Sequence, residues 1–217
     1  TLSSSSAASD VYKRQIKVFV DLHSKNLIYK DDLFKNLSVC PNCGFHHKLS
    51  CEERFKLTFD NGHYELIDSP EPVDDPLNFS DSKPYKERIA LARKKTGQRD
   101  AMMIAKGKIQ NIDVTVGAQN FNFIGGAVGI ASGEIFIRAV DHAIQNKTPL
   151  VFFSSSGGQK LQESGLALAM MTKTTLGVNE LKKNKEDYDF FEFKDQYDEV
   201  VRKTGNTFLG IGVAIKR

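Results

Sequence analysis

The sequence predicts an α/β layered fold, and three observations carry that prediction. Residues 150–153, Leu-Val-Phe-Phe, form a short, wholly apolar run of the kind a strand buried on both faces requires. Twice, a glycine-rich turn leads into a helix-period segment, at "FIGGAVG" and again at "SSSGGQ". Ahead of both, "DAMMIAKGKIQNIDVTVGAQN" reads as two strands joined by a turn near Gln110–Asn111. Strand, glycine turn, helix, strand, glycine turn, helix is the rhythm of layered α/β architecture.

Each element has a local reason. "CEERFKLTFD", 51–60, predicts a short amphipathic helix, with Phe55 and Phe59 four apart and Arg54 and Lys56 between them. "SPEPVDDPLNFSDSKP" holds four of the six prolines and predicts an extended linking or wrapping segment. "YKERIALARKKTG", 85–97, predicts a basic helix with Ile89, Ala90 and Ala92 on its apolar side, capped by Gly97. Helical spacing of Ile135, Ala139 and His142 or Ala143 predicts a helix after "FIGGAVG". "LQESGLALAMMTKTTLGVNELKKN" predicts another. After Lys185 the rhythm breaks. The core needs a further strand, but an acidic, aromatic, helix-like run follows, and β-like character returns only at Phe208–Ile215.

Bulk composition narrows the function classes. The chain has 217 residues, 40% hydrophobic, enough for one or two globular domains. Thirty basic and 27 acidic residues give a net charge of +3, which does not demand a nucleic-acid partner. No apolar run is long enough to span a bilayer, and no signal peptide is expected, since no basic segment precedes an apolar one at the start. Three cysteines, two of them in a C-x-x-C, argue against a disulfide framework and for a reducing, cytoplasmic setting. Residues 1–15, Ser/Ala-rich and then polar, lack any helix or strand period and resemble a translated sequencing-adapter remnant.

Two motifs suggest chemistry. Cys40 and Cys43 in "VCPNCGFHH" form half of a zinc site, a tight turn that aims two thiolates at one ion; four ligands are needed, and a second C-x-x-C is absent. Gly157 and Gly158 follow the apolar strand and precede a helix. Without side chains in the way, backbone N–H groups at such a turn can face a cavity, either as an oxyanion hole or as a phosphate cradle. The order of residues is not that of a P-loop. Gly125, Gly126 and Gly129 run G-G-x-x-G rather than G-x-G-x-x-G, which points to close backbone packing or a CoA contact instead of a dinucleotide. No Ser–His–Asp set can be picked out; His142 reads as a packed surface histidine, and Glu163 alone does not make an acid/base pair.

Taken in order, "LIYKDDLFKNLSVCPNCGFHHKLS", "FSDSKPYKERIALARKKTGQRDAMMIAKGKI", "FNFIGGAVG" and "FFSSSGGQKLQES…MTKTT" resemble the carboxyltransferase beta subunit of bacterial acetyl-CoA carboxylase, over about residues 24–184. The resemblance implies a zinc ribbon ahead of a crotonase-like α/β core, of which this chain holds the N-terminal half. It divides the chain into a zinc-ribbon-like module at 16–50, a helical and linking segment at 51–100, a partial core at 101–184, and an unassigned end at 185–217 that looks foreign to the family.

It further implies a heterotetramer of two beta and two alpha subunits that moves a carboxyl group from carboxybiotin, on its carrier protein, to acetyl-CoA. The product, malonyl-CoA, opens fatty acid synthesis. By resemblance Gly157 and Gly158 give the catalytic donors for the thioester oxygen, Gly125 and Gly126 line the CoA side, and Cys40 and Cys43 bind zinc. The family's other C-x-x-C falls at Asp21 and Ser24, which are not thiols, so zinc here would need Cys51, His46, His47 or His23 as substitutes. Two rival functions remain. One is a zinc-ribbon nucleic-acid-binding module using Lys86, Arg88, Arg93, Lys94, Lys95 and Arg99. The other is a stand-alone crotonase-type hydratase or hydrolase.

Overall fold

A computed structural model describes residues 30–41, 44–183, 188–192 and 209–216. It divides the chain into two compact units, Thr1–Leu49 and Ser50–Arg217. In the first, helix α1 (Lys30–Lys35) leads into a tight reversal. There the Cys40 N–H donates to the Phe45 carbonyl, the Gly44 N–H returns to the Cys40 carbonyl, and Val39 bridges His46 antiparallel. Cys43 lies outside the described residues, as do Asp21, His23 and Ser24.

In the second unit, helix α2 (Cys51–Thr58) starts on a capping box: the Ser50 hydroxyl accepts from the Glu53 N–H while the Glu53 carboxylate accepts from the Ser50 N–H. Strands β1 (Tyr64–Leu66), β2 (Met102–Ile109) and β3 (Ile112–Gln119) form an antiparallel meander. The predicted hairpin turn is present: Gln110 and Asn111 both take positive φ, and their N–H groups donate to the two oxygens of Asp60 at 2.9 Å each. Helix α3 (Tyr85–Thr96), in the stretch between β1 and β2, ends as predicted on Gly97 at φ 70°. Helix α4 (Ile130–Asn146) carries the chain from β3 to β4 (Leu150–Ser155), which pairs parallel with β3.

Helix α5 (Ser164–Lys183) follows, and strands β5 (Tyr188–Glu192) and β6 (Leu209–Lys216) complete a sheet of order β1-β2-β3-β4-β6-β5. The expected helix-like run after Lys185 is thus corrected. Residues Tyr188–Glu192 are a strand, and β6 supplies the strand beside β4 that the core lacked.

The side chains of the meander alternate between two cores. Met102 and Ile104 point with Leu150 toward α4 and α5, where they meet Ile135, Ala139, Val140, Ala143 and Leu181. Ala105, Val114, Val116 and Ala118 face the other way, onto Cys51, Phe55 and Phe59 of α2 and the turn after it. The buried side of α3 is Tyr85, Ile89 and Ala92; Ala90, expected there, is exposed. The proline-rich segment before α3 has no helix or strand, and its acids bind the helix and its exit: Asp74 takes Arg93 through two bonds of 2.7 Å, Asp81 takes Arg88, and Glu71 takes Arg99.

Candidate functional site

The two glycine turns form one locked unit at the ends of β3 and β4. The Gly157 N–H donates to the Gly125 carbonyl at 2.8 Å. Val128 N–H donates to the Gly158 carbonyl and Lys160 N–H to the Val128 carbonyl, both at 2.9 Å, which makes a short parallel bridge. Gln119, at the end of β3, spans the gap with its amide: its Nε2 donates to the Gly126 carbonyl at 2.6 Å, and its Oε1 accepts from the Ser155 N–H at 3.2 Å. Gly126 is there for space as well as φ, because a Cβ on it would sit 2.0 Å from the Ser155 carbonyl oxygen. That is the close backbone packing which the G-G-x-x-G order suggested.

This geometry separates the two glycines read as donors. The N–H of Gly157 is spent inside the turn-to-turn tie. The N–H of Gly158 donates at 3.0 Å to Ser156 Oγ, a hydroxyl on a rotatable side chain at the surface. Turning Ser156 about χ1 would release the Gly158 N–H, giving up the hydroxyl's own 3.0 Å bond to the Gly158 carbonyl but no backbone–backbone bond. Gly158 takes φ 122°, and open space surrounds the position a Cβ would occupy. The next helix is not adjacent to the turn: α5 begins only at Ser164, after a 3-10 turn at Leu161–Glu163. Partial charge at a helix end fades within one turn.

Beside the turns lies a buried polar cluster that the sequence reading missed. Lys160 Nζ sits 2.5 Å from Asp100 Oδ1 and 3.8 Å from Glu163 Oε1. Asp100 also accepts from the Ser132 hydroxyl, and Glu163 accepts from the Tyr85 hydroxyl at 2.8 Å and from the Ile130 N–H at 2.6 Å. Burial, with the Glu163 carboxylate next to it, pushes the Tyr85 phenol well above its ordinary range, so Tyr85 acts as a donor. Glu163, expected to stand alone, is therefore in company, but its oxygens are committed to the fold and it is 3% exposed. A stand-alone hydratase or hydrolase, which needs an acid/base group at a substrate, gains nothing from it. No short motif marks this cluster, since its members come from four separate stretches of chain.

His142 Nδ1 pairs with Thr115 Oγ1 at 2.9 Å, and burial, with Lys106 and Arg138 near, holds its pKa below the usual histidine value; it is a packed, neutral histidine, as expected. Cys51, a proposed substitute metal ligand, is corrected. Its Sγ lies 3.2 Å from the Ala118 carbonyl inside the α2 core, and burial pushes the thiol up to about 12, so it is a thiol donor rather than a thiolate. Among the described residues, no three His, Cys, Asp or Glu side chains come together closely enough to hold a metal ion. The described part of the chain does not fit a zinc site. The purified chain is expected to carry well under one equivalent of zinc after gel filtration, by elemental analysis. A full equivalent, lost on Cys40→Ser, would contradict this. The basic patch that a nucleic-acid module would use is half neutralised, because Arg88, Arg93 and Arg99 are each paired with a carboxylate. Among the described residues no helix is long and apolar enough to cross a membrane.

Comparison with known proteins agrees with the resemblance. Residues 77–182 match the carboxyl transferase domain family. The acetyl-coenzyme A carboxylase carboxyl transferase subunit beta of Pelagibacter ubique (strain HTCC1062) is 48% identical over 164 residues, 76% of this chain and 53% of that protein. The subunit of the same name from Caulobacter vibrioides (strain NA1000 / CB15N) is 47% identical over 156 residues, 72% of this chain and 50% of that protein. The chain thus spans about half the length of the curated relatives it matches. A solved transcarboxylase 12S, with hydrolysed methylmalonyl-coenzyme A bound, is similar over 62% of this chain and 24% of that one, at 20% identity and a TM-score of 0.47.

Proposed function

From the match of residues 77–182 to the carboxyl transferase domain family, we propose that the paired glycine turns form the thioester-oxygen pocket of a beta-type acetyl-CoA carboxyltransferase. The observation that carries this reading is the turn itself. Gly157 is tied to Gly125, while the neighbouring Gly158 N–H faces the surface with only a rotatable hydroxyl as its partner.

The chemistry needs such a donor. Loss of CO2 from carboxybiotin leaves a basic ureido oxyanion. That group takes a proton from the acetyl methyl, and the resulting carbanion attacks CO2 to give malonyl-CoA. As the C–H bond breaks, charge moves onto the thioester oxygen, and a donor fixed where that oxygen lies stabilises the transition state more than the bound substrate. On this reading Gly158 gives that donor and Gly157 holds the turn in place. The Gly125 side of the pair, where a Cβ would meet no atom within 4 Å, lines the path of CoA.

The ureido oxygen needs donors of its own, which we assign to an alpha subunit with the biotin carrier. The surface presented by α5 and the turn before it is suited to a protein partner, since Leu161, Leu168 and Leu176 are 82%, 62% and 61% exposed.

The test replaces the matching segment of the Pelagibacter relative with residues 50–183 of this chain. Alpha subunit, acetyl-CoA and carboxylated biotin carrier are then supplied. Alpha-dependent malonyl-CoA formation is expected from the hybrid and none from this chain alone. A folded, alpha-bound hybrid without turnover would sink the proposal.

A further inference from the structure

Asp100, Lys160 and Glu163 are buried to 4%, 3% and 3% exposure, yet none of them is given a task by the carboxyl-transfer chemistry above. Their burial is not explained by stability alone. Buried ion pairs are often matched or exceeded by apolar residues of similar shape, and what they supply instead is a defined arrangement. The arrangement here is informative, because Lys160 and Glu163 each tie one of the two glycine turns to its surroundings. Lys160 lies just after Gly158, with its backbone N–H on Val128 and its ammonium on Asp100 at 2.5 Å, immediately before β2. Glu163 receives the Ile130 N–H at the start of α4, just after the other glycine turn. A Cβ on Gly129 would meet Glu163 Oε2 at 2.3 Å, so that glycine leaves room for the carboxylate to reach the helix end. Ser132 and Tyr85 close the cluster on the Asp100 and Glu163 sides.

Between Ser156 and Lys160 the chain has two consecutive glycines, the residues with the widest backbone freedom. The Gly158 N–H can serve as a fixed donor only if both ends of that stretch are held. Ser155 is held from β3 by Gln119. The other end is held by the Lys160 side chain.

We propose that Lys160 and Glu163 are positioning residues, which pin the Gly157–Gly158 turn through Asp100 and the start of α4. The inference rests on the reading of Gly158 as the thioester-oxygen donor, and the experiment separates the two. The full chain, labelled with 15N, is compared with Lys160→Met, which keeps length and loses charge, Lys160→Arg, which keeps charge, and Glu163→Gln. Amide hydrogen exchange at Val128, Gly157 and Lys160 is expected to rise about tenfold or more in Lys160→Met, with Val116 and Ala118 of β3 changing by less than about twofold. Lys160→Arg is expected to restore most of the protection, which a role in packing alone would not.

Acetyl-CoA is then titrated while the Gly158 amide signal is followed. A shift is expected in the parent and in Lys160→Arg, and a smaller one in Lys160→Met. A uniform rise in exchange across the sheet, or an arginine variant as exposed at the turn as the methionine one, would overturn the positioning role. Local loosening with no acetyl-CoA shift even in the parent would leave that role standing and sink the donor reading. Should Lys160→Met fail to fold, Glu163→Gln decides the matter in its place: loosening confined to Ile130, Val128 and the 157–160 turn supports the positioning role, and loosening spread over the sheet overturns it.

Discussion

Gly126→Ala is expected to lose at least about 3 kcal/mol of stability, while Gly125→Ala loses only about 1 kcal/mol. The two positions have nearly the same backbone, φ 63° and φ 65°, so the cost of placing an L-residue in the left-handed region is shared. They differ in their surroundings. A Cβ at 126 would lie 2.0 Å from the Ser155 carbonyl oxygen and 3.3 Å from the Phe121 Cα, whereas at 125 it meets no atom within 4 Å. The obstacle at 126 is backbone, so no rotamer change relieves it. Ser155 cannot retreat cheaply, because it ends β4 and its N–H is held by Gln119. The comparison therefore separates clash from strain, and urea unfolding of the two variants measures it. Equal losses would mean that the turns are not packed as described.

Gly158→Val, placed in the active hybrid described above, is expected to lower kcat a hundredfold or more, the range seen when one oxyanion donor is lost. The affinity for acetyl-CoA should change much less, because the donor matters most once charge develops. Here sterics are not the cause, since a Cβ at 158 would meet open space. The cause is φ 122°, a conformation β-branched residues rarely adopt; relaxing it swings the Gly158 N–H away. If this variant kept near-normal kcat while Gly125→Val abolished it, the donor would belong to the other turn.

The elements around the site were legible because each has a local cause. The Gln110–Asn111 turn, the Gly97 cap and the apolar Leu150–Phe153 strand follow from side-chain chemistry a few residues wide. The two glycine pairs were legible as turns but not as one object. What joins them is a hydrogen bond from Gly157 to Gly125 and a glutamine, Gln119, whose sequence neighbours give no sign of it. Lys160 and Asp100 are 60 positions apart, and in sequence both look like solvated charges. The strand at Tyr188–Glu192 is not legible in the sequence, because its acidic residues suit a helix surface while its place in the sheet depends on pairing with β6 further along.

On the proposed reading the Gly158 N–H, and not that of Gly157, meets the developing charge on the thioester oxygen. Replacing Gly158 in the active hybrid by its α-hydroxy acid counterpart removes that N–H alone and adds no side chain. A fall in kcat of about a hundredfold, with the KM for acetyl-CoA nearly unchanged, is the predicted result. An unchanged kcat, with the loss appearing instead when Gly157 is replaced in the same way, would contradict it.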